Sequence, residues 1–467
     1  MLKHGLPGPG NRSLVPLADS LLLTAGSASL AALLGLRLYG ALWAVPIQTP
    51  WDDALIRRDA RIAARKETTA RVVANALTPH VPALLGGRLN GYGDWLALGL
   101  KASERIGSAH VQRTFQLVNV ALLCVQGITV LLFAYWSTRD PPIAVTLAFL
   151  YVSSPVVFGL NRWVLTENLV LTAGPALSLV AASLLAARAP ADGRALRAAV
   201  VRAGAAAYLM GLLGYAREYA SPSYGAMVAV VIASLVAQRR LGEAATFASV
   251  IACFAVPLAG PLVSALRATL FKATVSLYFH PLREFLPHVA VFVVGPSLTL
   301  VFLALYAAAA GRGLRRVRGS LRLPVSAAAF GGFLRRQLRS GLGALYWAHW
   351  LLLSLYVSGV VVSRNRAARS AIMPMLVTLG LLFLYLRRHP SARRWLRTTR
   401  ARVAALGLVA CSWSALAYQL FWAFEGGRTY AHAAFRLEYF NYPLGLRPLD
   451  RPGASHVCFD DCPYDPK

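Results

Sequence analysis

The sequence predicts an all-α polytopic integral membrane protein with about eleven transmembrane helices. Three observations predict it. Hydrophobic residues make up 57% of the 467-residue chain and charged residues only 14%, with a mean hydropathy of +0.53. Soluble domains carry roughly 25% charged residues, and surface-to-volume scaling leaves one soluble core too small for so much apolar sequence. The apolar residues also fall into runs long enough to cross a bilayer, which takes about 20 residues of helix. Finally, the formal charge of +29 comes from Arg and Lys gathered between those runs, where cytoplasmic loops of membrane proteins carry them. That placement argues for a membrane lipid environment and for no nucleic-acid partner, the other reading of a strongly basic chain.

The first apolar run, 15–45, follows Lys3 and Arg12. It is too long for a secretory leader and no small-residue cleavage site follows it, so it reads as an uncleaved, tilted or overlong first helix. Further spans are predicted at 115–136, 142–160, 167–187, 198–216, 222–237, 245–265, 288–310, 342–362, 368–386 and 403–424. With the N-terminus in the cytoplasm, Arg188 to Arg202, Gln238 to Arg240, Arg312 to Arg339 and Arg387 to Arg402 lie inside. The inside segments then hold roughly 24 basic and 4 acidic residues, against roughly 8 basic residues in the short outside loops. About 15 of the 19 carboxylates fall outside. The expected organisation is a transmembrane unit over 1–424, with a large first outer loop at 46–113, and a short extracytoplasmic tail at 425–467. The expected location is a bacterial inner (plasma) membrane.

The first outer loop begins Pro50-Trp51-Asp52-Asp53 and continues in an Arg-rich helical stretch, Ala54 to Leu77. Pro79-His80-Val81-Pro82 follows. A second helix is predicted from about Asp94 to Ile106, where Trp95, Leu96, Leu98 and Leu100 alternate with Lys101, Glu104 and Arg105. That mixture suits a helix in the interface plane. Loops longer than ~15 residues in compact architectures are usually functional. Cys124, Cys253 and Cys411 lie in apolar runs and read as packing residues. Cys458 and Cys462 lie in the polar tail, where an oxidising compartment would permit a disulfide.

Four clusters with chemical potential share the predicted outer side. Asp52-Asp53 offers a general base or a divalent-cation ligand, Mg or Mn; helix capping is the alternative. Glu167 ends Asn161-Arg162-Trp163-Val164-Leu165-Thr166-Glu167 and opens the fourth span, at the costly edge of the hydrocarbon, or else serves the helix dipole there. Arg217-Glu218 offers a guanidinium to clamp phosphate oxygens, oriented by its neighbour, or else a local ion pair. Lys272, Tyr278, His280, Arg283 and His288, with Arg364, Arg366 and Arg369, form a basic and aromatic group, which is either solvated loop or a site for an anionic headgroup. The chain has no Walker loop, HExxH, CxxC, GxSxG or dinucleotide fingerprint, so nothing suggests ATP-driven transport, zinc proteolysis or serine hydrolysis.

An acidic pair just after the first span, in a large helical outer loop, resembles the GT-C superfamily of membrane glycosyltransferases. The likeness is to the protein O-mannosyltransferase and aminoarabinose-transferase-like group. Leu77-Thr78-Pro79-His80-Val81-Pro82 followed by Gly91-Tyr92-Gly93 resembles the family's proline-containing segment. Arg113 to Asn119 resembles its entry to the second span. Ser154-Pro155, Arg162 and Leu165-Thr166-Glu167-Asn168 resemble its third-to-fourth span junction, and Arg369 with Ile372-Met373-Pro374 a late span entry. The resemblance covers most of 15–190. Asp53 stands where relatives often have Glu, the prolines are not adjacent, and the large outer C-terminal domain of oligosaccharyltransferases is missing.

This resemblance implies transfer of a sugar from a polyprenyl-phosphate donor to a protein, glycolipid or polysaccharide on the outer face, with inversion. Asp52 would be the base, supported by Asp53, and Glu167 would position the acceptor or a divalent ion held with Asp52. Arg162, Arg217 and Arg369 would hold the departing phosphate, with His80, Glu218, Tyr278 and His280 along the substrate path. Two other readings remain at this point: a flippase for a lipid-linked precursor, and an O-antigen polymerase or ligase. Transporters usually carry charge or broken helices at mid-membrane, whereas the mid-span regions here read as nearly free of charge, with the carboxylates at the outer edge, which favours the enzyme.

Overall fold

The computed structural model describes residues 14–43, 51–77, 91–105, 111–154, 157–158, 161, 167–187, 192–216, 221–256, 327–339, 343 and 372–425. Among these residues the regular structure is entirely helical. In chain order the helices are α1 (Leu14–Trp43), α2 (Trp51–Lys66), α3 (Thr69–Leu77), α4 (Gly91–Arg105), α5 (Val111–Thr138) and α6 (Pro141–Val152). They continue with α7 (Glu167–Ala186), α8 (Gly193–Ala216), α9 (Ser221–Ala237) and α10 (Leu241–Val256). The last four are α11 (Ala327–Arg339), α12 (Ile372–Arg388), α13 (Pro390–Leu396) and α14 (Thr399–Glu425).

Among the described residues three stretches are long and apolar enough to cross a membrane: Pro16–Leu42 in α1, Arg113–Thr138 in α5 and Asn168–Leu185 in α7. Shorter apolar helices are α6, α10 and Met227–Ala237 of α9. The predicted spans at 288–310 and 342–362 lie outside the described residues, as do the tail and its Cys458 and Cys462. Exposed apolar side chains mark the outward faces of the long helices. On α5 they are Val125, Ile128 and Leu132, one helical stripe suited to lipid. Cys253 and Cys411 are exposed as well, so they face outward from the bundle instead of packing within it.

α5 and α6 sit at the centre, against α1, with α7 and α12 on α5 and α14 closing on α1 and α6. Small residues let backbones approach. A Cβ on Gly380 of α12 would stand 2.8 Å from the Ser178 carbonyl oxygen of α7, the close approach typical of membrane helix pairs. Predicted boundaries shift where local chemistry intervenes. α6 ends at Val152, short of the expected 160, because the residue ahead of Pro155 is disfavoured in helical conformation. The expected Ala54–Leu77 helix is two helices. Thr68 Oγ1 accepts from Arg71 N at 3.3 Å and starts α3 anew, while Asn75 Nδ2 donates to Glu67 Oε2 at 2.7 Å across the break. α4 is also more enclosed than an interface-plane helix: Tyr92, Leu96, Ala97 and Leu100 are buried, and it packs on α2, α3, α5 and α8.

Pro175 interrupts the hydrogen-bond ladder of α7. Its missing N–H would have served the Leu171 carbonyl. The buried Tyr151 hydroxyl of α6 donates to that oxygen at 3.0 Å. Tyr151→Phe is therefore expected to lower stability by about 1 kcal/mol, read as a lower thermal midpoint of the purified full chain. An unchanged midpoint would mean the freed carbonyl finds another donor.

Two polar ends bracket the bundle. At the basic end, Arg402 of α14 donates from Nη1 to Asp140 Oδ1 at 2.9 Å and from Nη2 to Asp140 Oδ2 at 2.8 Å. Its Nε lies 2.6 Å from Asp19 Oδ1 of α1. Asp140 also caps α6 through Ile143 N at 3.2 Å, ahead of Pro141 and Pro142, and pairs with Arg397 at 3.5 Å. At the same end the Arg387 guanidinium sits 4.7 Å from the Trp136 ring centroid. Buried Arg240 joins three other helix ends. It pairs with Glu243 through Nε (2.7 Å to Oε1) and Nη2, and its Nη1 donates to the Leu184 and Ala187 carbonyls at 2.7 and 3.2 Å. Such a cation on the last carbonyls of α7 is a helix C-terminal cap.

Candidate functional site

The other polar end holds the residues of interest. Asp19 and Arg37 of α1 are separated by about 27 Å of helix axis, close to the ~30 Å hydrocarbon thickness. Around Arg37 the chain gathers Gln116 and Asn119 from the start of α5, Asn161, Asn168 from the first turn of α7, and Tyr92 from α4. All six are buried.

The Arg37 guanidinium donates from Nε to Asn161 Oδ1 at 3.0 Å. Its Nη2 donates to the Asn161 backbone carbonyl at 2.9 Å and to Gln116 Oε1. Asn161 in turn donates from Nδ2 to the Asn119 carbonyl at 2.6 Å and to Asn168 Oδ1 at 3.4 Å. Asn119 Oδ1 accepts from the Tyr92 hydroxyl and from Asn168 Nδ2, the latter at 3.4 Å. Below this layer Gln126 Nε2 donates to Thr172 Oγ1 at 3.0 Å and to the Asn168 carbonyl at 3.4 Å. The segment between α1 and α5 is thus joined to the bundle at this end. Thr114 Oγ1 donates to Ser103 Oγ at 2.9 Å, and Tyr208 of α8 donates to the Leu77 carbonyl.

Arg37 is 1% exposed, and among the described residues its acceptors are neutral amides with no carboxylate. A charged side chain in the apolar part of a membrane helix is costly and marks function by default. Arg37 lies within the apolar span Pro16–Leu42, toward its C-terminal end and away from the mid-span regions expected to be nearly free of charge. The signal in the sequence is a single Arg in an apolar run whose other charged residue, Asp19, lies near its opposite end. It was masked by the run's length, since an overlong helix can carry a cation out of the hydrocarbon.

The predicted site residues divide. Asp52 and Asp53 lie in the first turn of α2 and Glu167 is the first residue of α7; their side chains are outside what the structure describes. Arg162, Arg217, Arg369, His80, Glu218, Tyr278 and His280 lie outside the described residues. The structure does bring together two segments that carry the resemblance, 113–119 and 161–168, through Asn119, Asn161 and Asn168. Among the described residues no group of three His, Cys, Asp or Glu side chains converges as a metal site. The metal ligands expected, Asp52 and Glu167, fall outside that search. No protein-family model, curated protein or solved structure matches this chain.

Proposed function

We propose that the chain is a GT-C-type glycosyltransferase of about eleven spans, moving a sugar from a polyprenyl phosphate to an acceptor at the outer membrane face. One observation carries the reading. Tyr92, from the loop that opens at Asp52-Asp53, and Asn168, directly after Glu167, both donate to the same oxygen of Asn119. The loop bearing the acidic pair and the helix that Glu167 opens are thereby anchored at one end of the bundle.

In this reaction an acceptor hydroxyl or amine attacks the anomeric carbon, a new glycosidic bond forms, and the bond to the phosphate oxygen breaks with inversion. Asp52 takes the acceptor's proton. The electron pair leaves on polyprenyl phosphate, whose charge Arg162, Arg217 and Arg369 meet. A sugar lipid needs no nucleotide site, which agrees with the absence of nucleotide motifs. A divalent cation would join Asp52 and Glu167.

Proteoliposomes of the full chain test this. Supplied with polyprenyl-phosphate monosaccharides and envelope acceptors, they should release polyprenyl phosphate and label the acceptor. Translocation of the intact sugar lipid without release would establish the flippase reading instead. Glu167→Gln should lower acceptor use or shift metal dependence by about tenfold or more, with the thermal midpoint held. A change in midpoint alone would mean the side chain only serves the helix dipole.

A further inference from the structure

We propose that Arg37 is a positioning residue for sugar transfer: it holds the segment that leads into Glu167 against the first span, which leads into Asp52. This rests on the transferase reading above. Its role is indirect: Arg37 acts through Asn161, whose side chain and backbone carbonyl it grips together, at 3.0 and 2.9 Å.

The choice of residue is informative. A neutral donor would satisfy Asn161 at lower desolvation cost, since burying a guanidinium without a carboxylate is unfavourable. What Arg adds is a rigid planar fork that fixes direction as well as distance. Here the fork engages two elements at once: Nε and Nη2 on Asn161, and Nη2 also on Gln116 of α5. Asn161 passes that constraint on to Asn119 and Asn168. Among the described residues every acceptor of Arg37 is an uncharged amide, so the grip depends on geometry. Glu167 is covalently next to Asn168, and α1 runs only six residues past Arg37 to Trp43 before the segment that reaches Asp52. A shift of even ~1 Å between the two carboxylate-bearing segments would cost about a hundredfold in rate.

The test uses the full chain with Arg37→Met and Arg37→Lys. Methionine keeps the apolar stem and removes the buried charge; lysine keeps the charge and removes the fork. Both variants should show kcat lowered by about a hundredfold with the donor KM unchanged. In the same proteins, hydrogen exchange should rise in peptides covering 161–172 and stay as in wild type around 136–143 at the basic end.

Three results would overturn the proposal. A raised donor KM at unchanged kcat would make Arg37 an anion-binding group. Wild-type kcat in Arg37→Lys would show that charge alone suffices. Exchange rising equally at both ends would reduce Arg37 to general stability. If the wild-type protein transfers no sugar, the transferase reading fails by itself; the tie between α1 and 161–168 is then decided by the exchange pattern alone, and unchanged exchange in 161–172 overturns it.

Discussion

Asp52→Asn is expected to abolish sugar transfer, lowering turnover by about 10²–10⁴-fold, the range for loss of a general base. The substitution separates chemistry from folding. Asp52 lies in the first turn of α2, where a carboxylate can instead cap the helix or favour its dipole. Asn keeps the size and shape of the side chain and loses at most a dipole interaction of about 0.3–1 kcal/mol, so stability should change little, and any large loss of turnover belongs to the missing base. Asp53→Asn is expected to lower turnover less than Asp52→Asn, because Asp53 supports the base without taking the proton. The measurement is release of polyprenyl phosphate by proteoliposomes of matched protein content and thermal midpoint. Wild-type turnover in Asp52→Asn would remove this residue from the reaction.

The second large effect is structural. Asp140→Ala should destabilise the chain by about 3–5 kcal/mol, the cost of leaving one partner of a buried ion pair uncompensated. Arg402 is 2% exposed, and Asp140 takes both of its terminal nitrogens. Asp19 remains as a second anion, but it is partly exposed, and Arg402 Nε makes no aligned hydrogen bond to it. Asp140 also caps α6, so one substitution loosens α1, α6 and α14 together. Replacing both partners, Asp140→Leu with Arg402→Met, should recover much of the loss, because the desolvation cost vanishes with the charges. The thermal midpoint of purified protein checks both. A double variant as unstable as the single would show that the α6 cap, and not the ion pair, is what matters.

Much of the helical architecture was legible because membrane crossing leaves a coarse signature: length and apolarity alone mark α1, α5 and α7. Breaks within helices were less legible. Thr68 and Pro155 are local signals, yet a long apolar or Arg-rich run overrides them in any reading by window. Packing was not legible at all. Nothing in the spacing of Tyr151 and Pro175 says that one repairs the other, because the pairing exists only once α6 lies on α7. The candidate site was half legible. Segments 113–119 and 161–168 stand out by their polar residues at span edges, and the structure joins them. Arg37 did not stand out, since its meaning depends on being buried among Gln116 and Asn161, which lie 79 and 124 residues away.

That separation sets an order for biogenesis. The chain is made from its N-terminus, at ~5–20 residues per second. Arg37 therefore enters the bilayer roughly 6–25 s before Asn161 is synthesised. Until then its charge must reach toward the headgroups, as lone Arg side chains in membrane helices do. Gln116 arrives first and Asn161 completes the grip, so α1 is free to slide or tilt early and becomes fixed only once the chain beyond α6 is in place. Asp19 waits longer still, for Arg402, which is 383 residues (402 − 19) further along the chain. α1 is accordingly locked at its basic end later than at the other, and a chain truncated between Asn161 and Arg402 would leave α1 held at one end alone.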